Sequence, residues 1–507
     1  MSGLEGYDVS RVSLGYDAVD SSGKRRGQST STNAECAVLT PAKRKKSNAT
    51  TMDDTRNSAL LSWMIRKHVD HVADFTPHVT GIPERTAQEL KGLLDWHGRK
   101  ENFDVAKRHS RRDMLRLFET GKILQGDAAL VHLNSNRVQL IEGDRIVKTT
   151  DLEGRKPMSA ARKKRIEADF AANGLRLDYS TGEVLQYLIA NRGTSGKGLY
   201  FDHIEDAENV NYDGYFFRAD QYRGVSPILA ALNQHADLRE SQEYTLLKIK
   251  LMALFGMVIH RNEGDHADFD DDGTDSAEDA TTATNADSTL NMKGGAPQIL
   301  DLDEAHKATE FESKTPAPSV KEYQREMTRV VLLALDIPFT MYDSMQSSFS
   351  ARIADRVEYD QSARAKQDKN GSVLRNYSDW IIGQWWNVPD GSIAELKRIA
   401  ESEGVSLRQL RNAVQWVPGG SPWLDRSKEV SADALAVATG LDSPQRIIAK
   451  RYGTTDWKQF VSERAEFYDF AEGLGQPIMI GQPGQSSIGE VAQGEADDEP
   501  AGGGDDD

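Results

Sequence analysis

Cysteine is almost absent from the 507-residue sequence, which contains only Cys36. A single thiol excludes an intrachain disulfide and any zinc site built from several cysteines, so we expect a reducing compartment. Long hydrophobic runs are also missing. The most apolar stretch, residues 246–259, contains Lys248 and Lys250 and is too short to cross a bilayer. The sequence therefore predicts a soluble protein that is made in the cytoplasm and has no membrane partner.

Common catalytic motifs are absent too, since the sequence contains no G-x-S-x-G, H-E-x-x-H or C-x-x-C. Residues 193–198 resemble a phosphate-binding loop, but Asn191 stands at the first glycine position and Gly198 at the Ser/Thr position. His68 and His71 have metal-compatible spacing, yet no supporting carboxylate is evident, so an exposed or packed pair is favoured. We expect no enzymatic activity, no cofactor and no metal.

One acidic segment has part of the pattern of a calcium-binding loop. Asp268, Asp270 and Asp272 fall at its first, third and fifth positions. The twelfth position is Asp279 instead of the bidentate glutamate, and the usual apolar eighth position is Asp275. A solvated acidic loop is the favoured interpretation. A metal-dependent nucleic-acid hydrolase that uses this loop remains an alternative function.

The net charge of −17 is unevenly distributed along the chain. Residues 263–279 contain nine acids and residues 490–507 contain eight, and neither segment has a Lys or Arg. Without these 17 acids, 62 acids remain, which equals the number of Lys and Arg. We therefore predict two disordered acidic segments on a balanced body, and the low pI does not exclude DNA as a partner.

Two long helices are the main elements of the predicted structure. Ser226 and Pro227 suit a helix start, and no further Gly or Pro occurs before Gly256, which predicts one helix of about 45 Å. Ser319 and Glu322 form a capping-box pattern that begins a second helix, which ends before an Ile-Pro pair. The acidic segment between the two helices is too polar to form a core.

The first 225 residues are predicted to form an arm followed by helices and strands. The composition of residues 1–50 predicts a disordered arm. The basic run at 43–46 is interpreted as a solvated tail rather than a localisation signal or an anchor for acidic partners. Residues 55–79 have the spacing of an amphipathic helix, and residues 84–122 form a charged helical region. Turn signals separate five predicted strands. These strands are residues 128–133, 137–141, 175–179, 184–190 and 215–218.

The C-terminal part is predicted to be helical. Residues 351–386 form a helix that is interrupted near Asn370-Gly371, and three shorter helices follow. Those three run from near Ser427 to Gly440, from the cap Ser443 to Gly453, and over residues 456–472. The first two also fit a helix-turn-helix, which makes a DNA-binding regulator a second alternative, although only Arg446, Lys450 and Arg451 would face DNA. A plain helical pair is favoured.

Several short motifs occur in a characteristic order. They are Gly126-Asp127, residues 137–144 (RVQLIEGD), Asn173-Gly174-Leu175, residues 217–227 (FRADQYRGVSP), Asp336-Ile337-Pro338, residues 424–432 (LDRSKEVSA) and Thr439-Gly440-Leu441. Together they resemble the portal proteins of tailed bacteriophages, in particular the lambda-like family, over about residues 16–473. The acidic insertion and Ser427, where the family usually has proline, are departures that affect the loop function more than the fold.

The resemblance implies an α+β portal fold with an α/β wing, two long stem helices, a small clip and a helical crown-side region. It also implies an oligomeric ring, usually of twelve copies, at one capsid vertex of the virion. Such a ring passes double-stranded DNA without sequence specificity during packaging and ejection. The implied partners are the terminase large subunit, the major capsid and scaffolding proteins, and the head-tail connector protein.

The resemblance also assigns segments to these parts of the fold. They are an arm (1–50), a wing (51–225), a stem helix (226–260), a clip (261–318) with an acidic insertion (263–286), a second stem helix (319–338), a tunnel loop (339–350), a long wing helix (351–388), crown-side helices (389–480) and a disordered acidic tail (481–507).

The proposed tunnel loop has a composition that suits a DNA conduit. Residues 339–350 contain no Lys or Arg and only one acid. In a twelvefold ring each lumenal lysine would be repeated twelve times, and phosphate binding would hinder sliding. An ordinary interhelical loop is the simpler interpretation of the same segment. Under the resemblance, the residues predicted to line the conduit are Phe339, Met341, Tyr342, Asp343, Met345 and Gln346.

Overall fold

The structure is a computed structural model that describes only part of the chain. The described residues are 35–152, 160–193, 196, 198–254, 258–259, 300–301, 318–345, 347–389, 391, 393–420, 426–454 and 456–473. The chain divides into two compact units, of which the second comprises residues 228–359 and the first comprises the remainder. Both units contain helices and strands, which confirms the predicted mixture of helix and sheet. No helix in the described ranges has the length and apolar character needed to cross a membrane.

The described helices are α1 (Glu35–Val38), α2 (Pro41–Asn57), α3 (Ala59–Val72), α4 (Glu84–His97), α5 (Lys100–Phe103), α6 (Arg111–Gln125), α7 (Ala160–Asp169), α8 (Leu232–Leu254), α9 (Pro318–Leu332), α10 (Phe349–Trp386), α11 (Ala394–Ser402), α12 (Leu407–Ala413), α13 (Arg426–Ala438), α14 (Pro444–Tyr452) and α15 (Trp457–Gly473). The strands are β1 (Phe75–Val79), β2 (Asp127–Leu133), β3 (Arg137–Glu142), β4 (Leu175–Leu177), β5 (Val184–Arg192), β6 (Leu199–Asp206), β7 (Val210–Gly214), β8 (Val258–Ile259), β9 (Leu300–Asp301) and β10 (Val414–Pro418).

Small sheets make up the β structure. Two of them have three strands each, in the orders β3-β2-β7 and β4-β5-β6, and all their pairings are antiparallel. Strands β1 and β10 form an antiparallel pair, while β8 and β9 pair in parallel. Alternate residues of the two three-stranded sheets share one apolar core, as expected for strands with one buried face. Its buried members are Ala129, Val131, Ile141, Ile146, Leu175, Leu177, Tyr187 and Ile189.

Helix α6 covers one side of this β region. Ser110 and Asp113 form a capping box at its start, and Gly126 ends it with φ +92°. Its buried apolar residues, Met114, Leu115, Phe118 and Ile123, recur at helical spacing. Because β2 begins one residue after Gly126, the end of α6 and the start of β2 are fixed together.

Within the second unit, α8 packs against α9. Gln324 of α9 donates from Nε2 to the hydroxyls of Ser241 and Thr245, at 3.3 and 3.4 Å. After α9 a short 3-10 turn ends at Asp336, which adopts φ +58°, and Ile337 is buried next to it. The predicted helix ending before Ile337-Pro338 therefore matches the structure.

The N-terminal prediction needs correction. Residues 41–50 are not part of a disordered arm, because Pro41–Asn57 is one helix and Arg44 is 6% exposed. The basic run at 43–46 is therefore not a solvated tail, since the guanidinium of Arg44 pairs with Asp127. The predicted helix over 55–79 was also wrong in extent. It breaks at Ser58, whose side chain caps α3, and residues 75–79 pair with β10.

Other boundaries also differ from the prediction. Ser226 does not cap a long helix, because its hydroxyl donates to the carbonyl of Ile123 and a 3-10 turn precedes α8. The predicted strand at 215–218 was wrong, since β7 ends at Gly214. The predicted break at Asn370-Gly371 was wrong as well. Helix α10 continues through these residues because the Asn370 side chain bonds buried groups of other elements.

The C-terminal helices confirm the sequence signals. Ser443 accepts a hydrogen bond from the Arg446 amide, Pro444 begins α14, and Gly453 ends it in the left-handed conformation. The strand predictions over 128–133, 137–141 and 184–190 are confirmed within two residues. The acidic insertion, the acidic tail and most of the predicted clip lie outside the described residues.

Candidate functional site

The predicted conduit-lining residues lie in the segment between α9 and α10, inside the second unit. Residues Phe339–Met341 form one 3-10 turn, and the segment ends at Ser348 because Phe349 and Ser350 belong to α10. Its side chains are open to solvent, with Met345 93%, Tyr342 53% and Met341 36% exposed. Gln346 lies outside the described residues. The segment therefore presents apolar and aromatic groups to solvent without any cation of its own.

Two arginines of α9 flank this segment, and the sequence analysis missed them. The guanidinium carbons of Arg325 and Arg329 lie 5.0 and 4.9 Å from the ring centroid of Phe339, within the range of cation–π attraction. Arg325 also pairs with Asp343 at 3.6 Å. Their spacing of four residues places both arginines on one helix face, a signal that could have indicated a shared target. The single acid of the segment thus faces a cation from the preceding helix.

Local hydrogen bonds fix the shape of the segment. Thr340 Oγ1 donates to Asp355 Oδ2 of α10 at 2.7 Å, which ties the 3-10 turn to the next helix. Asp343 Oδ1 accepts from the Met345 amide at 3.0 Å, a short-range bond typical of turns. The rings of Phe339 and Tyr342 contact each other, with centroids 5.7 Å apart. A turn held at several points can place Met345 and Tyr342 in defined positions.

A buried ion cluster in the first unit joins three distant segments. Asp127, which is fully buried, accepts from Arg223 Nε at 2.9 Å and from Arg223 Nη2 at 3.0 Å. Arg44 Nη2 lies 2.7 Å from Asp127 Oδ1. The Tyr212 hydroxyl and the Gly224 amide donate to Asp127 Oδ2, both at 2.8 Å. One carboxylate thus receives hydrogen bonds from the N-terminal helix, from β7 and from the segment that follows β7.

The remaining donors of Arg223 all reach backbone carbonyls. They bond Ile146 and Asn173 from Nη1, at 2.7 and 2.6 Å, and Gly143 from Nη2, at 2.7 Å. A guanidinium in a buried site is stable only when its donors are satisfied, and these contacts provide that. Four of the sequence motifs described above therefore meet at Arg223.

Glycine is required where two of these motifs touch. A Cβ on Gly224 would collide with the carbonyl oxygen of Gly126, and a Cβ on Gly126 would collide with the backbone of Gly224. A Cβ on Gly143 would likewise overlap Asp127. The backbones approach closely because only glycine lacks the side-chain atom that would separate them. These motif residues are therefore explained by packing around Asp127.

Charge pairing decides the ionisation of this cluster. Burial raises the pKa of Asp127, but Arg223 and Arg44 oppose it, and the pKa ends below the ordinary value for aspartate. Burial, with the charge of Asp127, raises the pKa of the Tyr212 hydroxyl well above its ordinary value. Asp127 therefore stays ionised and Tyr212 stays neutral, which suits a permanent structural contact rather than proton transfer.

A second buried cluster connects α6, β7 and α10. Lys122 Nζ lies 2.8 Å from Glu119 Oε2 and 2.7 Å from Asp213 Oδ2. Asn370 accepts from Lys122 and donates to Glu119, both at 3.0 Å, while the Tyr215 hydroxyl donates to Glu119 at 2.8 Å. Burial raises the pKa of Glu119, yet Lys122 and the hydrogen bonds lower it to about 2. These groups satisfy one another and leave no reactive arrangement.

The other candidate sites gain no support from the geometry. His68 is fully buried and His71 pairs with Asp360 at 2.7 Å, and no group of three or more potential metal ligands occurs among the described residues. In the helix-turn-helix candidate, Arg451 is turned towards Glu429 and Asp433, at 2.6 and 3.0 Å. Its side chain is only 8% exposed, so it is not available to contact DNA.

Comparison with known proteins gives one family match. The family model described as phage portal protein, lambda family, matches residues 22–367. No curated protein sequence matches the chain. Among solved structures, the chain is similar to one from the neck of an empty GTA particle, with 13% identity, 79% of this chain and 92% of that chain covered, and a TM-score of 0.35. A chain from the virion of a native gene transfer agent particle gives 12% identity, 81% and 98% coverage, and a TM-score of 0.35. At these TM-scores the two structures do not define the fold.

Proposed function

The chain belongs to the lambda family of phage portal proteins, and on this basis we propose that its copies form a ring at one capsid vertex of a virion. Double-stranded DNA would pass through the ring, without sequence specificity, during packaging and ejection. The proposed role is structural rather than enzymatic. The terminase large subunit, the major capsid and scaffolding proteins and the head-tail connector would bind the ring, which we propose to contain twelve subunits.

The observation that carries this proposal is the family match over residues 22–367, more than half of the 507-residue chain. The buried cluster at Asp127 supports it, because motifs at Gly126-Asp127, Gly143, Asn173 and Arg223 act there as one packed unit. Scattered motifs that meet in one place are better explained by a shared fold than by chance.

We assign parts of the portal fold to the segments predicted from the sequence. The wing would be residues 51–225, the stem helices 226–260 and 319–338, the clip 261–318, the long wing helix 351–388 and the crown-side helices 389–480. The structure begins α2 at Pro41, so the wing would extend to include this helix.

The segment 339–348 is proposed to line the narrowest part of the conduit. Its exposed residues are uncharged, namely Met341, Tyr342, Ser344, Met345 and Ser348, and Met345 is almost fully exposed. Arg325 and Arg329 of α9 lie against Phe339, and Arg325 also faces Asp343. A guanidinium engaged in this way is less available to phosphate, so a passing duplex would meet a surface with weak affinity for its backbone.

A substitution at Asp343 tests the conduit proposal. Asp343→Lys would add a cation to every subunit and remove the ion-pair partner of Arg325. Because each change is repeated around the ring, we expect DNA packaging to slow and the packaged length to decrease. The measurement is the amount of nuclease-protected DNA in particles assembled with the variant. Glu183→Lys, in an exposed turn of the first unit, makes the same charge change and is expected to package normally.

Unchanged packaging by the Asp343→Lys ring would contradict the conduit role of this segment but leave the portal function intact. Deletion of residues 263–286 separates the portal from the hydrolase alternative. A hydrolase would lose activity without its acidic loop, whereas a portal without this insertion is expected to assemble its ring. A sequence-specific shift of short duplexes by a dimer would instead support the helix-turn-helix alternative.

A further inference from the structure

Helices α13, α14 and α15 have almost no core of their own. Over the described residues 426–438, 444–452 and 457–473, only Ala471 is buried. Large apolar side chains of this region are exposed instead. They include Val430, Leu435, Leu441, Val461, Phe467 and Phe470. Because a helix gains most of its stability from packing its apolar face, we expect a partner to cover part of this region.

One face of α15 combines two acids with two aromatic rings. Glu466, Phe467 and Phe470 lie three, four and seven positions after Glu463, which places all four side chains on one side of the helix. All four residues are exposed, Phe470 to 68%. Gln459 donates to Glu463 at 2.7 Å, but neither acid has a cationic partner within the described chain. These four residues are called the α15 surface below.

Helix α14 presents the opposite charge. Arg446 and Lys450 are four residues apart on one face of the helix, and both are exposed. Neither pairs with an acid in the part of the chain that the structure describes, whereas Arg451 is engaged by two acids of α13. Leu441, in the turn before α14, is 82% exposed. Leu441, Arg446 and Lys450 are called the α14 surface below.

The two surfaces do not neutralise each other within one chain. Helices α14 and α15 touch through the rings of Tyr452 and Phe460, whose centroids are 4.9 Å apart, but among the described residues no ion pair joins the two helices. Helix α14 is tied to α13 through Arg451, and α15 is tied to α4 by the pair of Lys458 with Glu84. Both charged surfaces therefore stay open to another molecule.

A second copy of this chain is the partner that fits both surfaces. The α14 surface is apolar and cationic, and the α15 surface is aromatic and anionic, so each complements the other. In a ring, the same region of neighbouring subunits meets at every junction, and the contact joins two different surfaces of the chain. A nucleic acid would fit only the cationic surface, and a basic protein would fit only the acidic one.

We propose that the α15 surface of one subunit packs on the α14 surface of the next. Burial of Phe467 and Phe470 provides the apolar gain, and the pairing of the acids with Arg446 and Lys450 determines which surfaces meet. The contact is heterologous, so it can repeat around a closed ring. This inference rests on the proposed portal function and assigns one subunit contact of the ring to named residues.

Charge reversal in the full-length protein tests the contact. One variant is Glu463→Lys with Glu466→Lys, and the other is Arg446→Glu with Lys450→Glu. Either variant alone places like charges at every junction, so the fraction of protein in rings should fall about tenfold or more. Micrographs and the particle mass in solution give this fraction.

Co-expression of the two variants in equal amounts provides the decisive arm. When the variants alternate around a ring of twelve, every junction again joins opposite charges, and rings should return to the wild-type fraction. This recovery would also show that each variant folds. Glu183→Lys with Glu208→Lys reverses two exposed acids elsewhere in the first unit and should form rings as the wild type does.

The outcomes separate this inference from the portal function. If the wild type forms rings and either variant alone does so equally well, the inference is overturned and the portal function stands. A co-expressed pair that fails to restore rings has the same meaning. A wild type without rings would overturn the portal function itself. Intact rings in both variants, with a lower thermal midpoint on deletion of residues 474–507, would identify that segment as the occupant and overturn the inference.

Discussion

Asp127 and Arg223 are 96 residues apart in the sequence and form a buried, two-bonded ion pair. The pair lies where the end of α6, the start of β2 and the segment before α8 meet. Arg44 adds a second cation to the same carboxylate from a helix near the N terminus of the described chain. This part of the first unit is therefore held together by a polar centre as well as by its apolar core.

Removal of the shared carboxylate should be costly. Asp127→Ala would leave Arg44 and Arg223 buried without their counter-charge, and breaking a buried pair in this way typically costs about 3–5 kcal/mol. We expect the free energy of unfolding to fall by this amount in urea titrations at fixed protein concentration. Lys458→Ala, which breaks the exposed pair with Glu84, should change it by less than about 1 kcal/mol. Equal effects of the two variants would show that the cluster has no special role.

The contact between two glycines gives a second stability prediction. Gly224→Ala would place its Cβ against the Gly126 backbone, which cannot yield as a flexible side chain could. We expect a loss of more than about 2 kcal/mol in unfolding free energy. Gly92→Ala is the matched control, because this glycine lies in α4 with nothing within 4 Å of the added atom. Its helix propensity should stabilise the protein by about 0.5–1 kcal/mol.

Acid sensitivity is expected from a buried histidine. His132 stacks on Trp380 with centroids 4.3 Å apart, and burial lowers its pKa from 6.5 to about 4. Because the unfolded chain binds a proton at higher pH than the folded chain does, this contribution is fully present above pH 6.5. It is lost progressively as the pH falls towards 4. His132→Gln should therefore flatten the decrease in unfolding free energy between pH 6.5 and 5, a range above most carboxylate titrations. If His132→Gln kept the wild-type slope over the same pH range, burial of a neutral imidazole at position 132 would not explain the acid sensitivity.

Local sequence signals were sufficient to predict those helices and strands whose ends are marked by cap or turn residues. Helix α14 was predicted correctly because Ser443, Pro444 and Gly453 each have a known effect at a helix end. Strands β2, β3 and β5 were found because turn residues separate their apolar runs. The pairing of β1 with β10 was not predicted, since it joins segments more than 300 residues apart and neither segment alternates clearly.

Burial of charge was the main feature that the sequence did not reveal. The run around Arg44 has the composition of a solvated tail, and the partners that make Arg44 part of the core are distant in sequence. They are Asp127, 83 positions away, and the carbonyls of Gln125 and Gly224. Asn370-Gly371 was predicted to break a helix because both residues favour turns. The buried groups that bond Asn370 within the helix are distant in sequence, so their effect was not visible. In the candidate loop, composition correctly excluded internal cations. It could not show that Arg325 and Arg329 of α9 lie against Phe339.

Electron micrographs of the purified full-length chain test the portal assignment most directly, together with the mass of the particles in solution. We expect closed rings with an axial opening that a DNA duplex can pass, and a particle mass that corresponds to about twelve subunits. A folded sample that remains monomeric or dimeric at every protein and salt concentration, and never forms a ring, would contradict it.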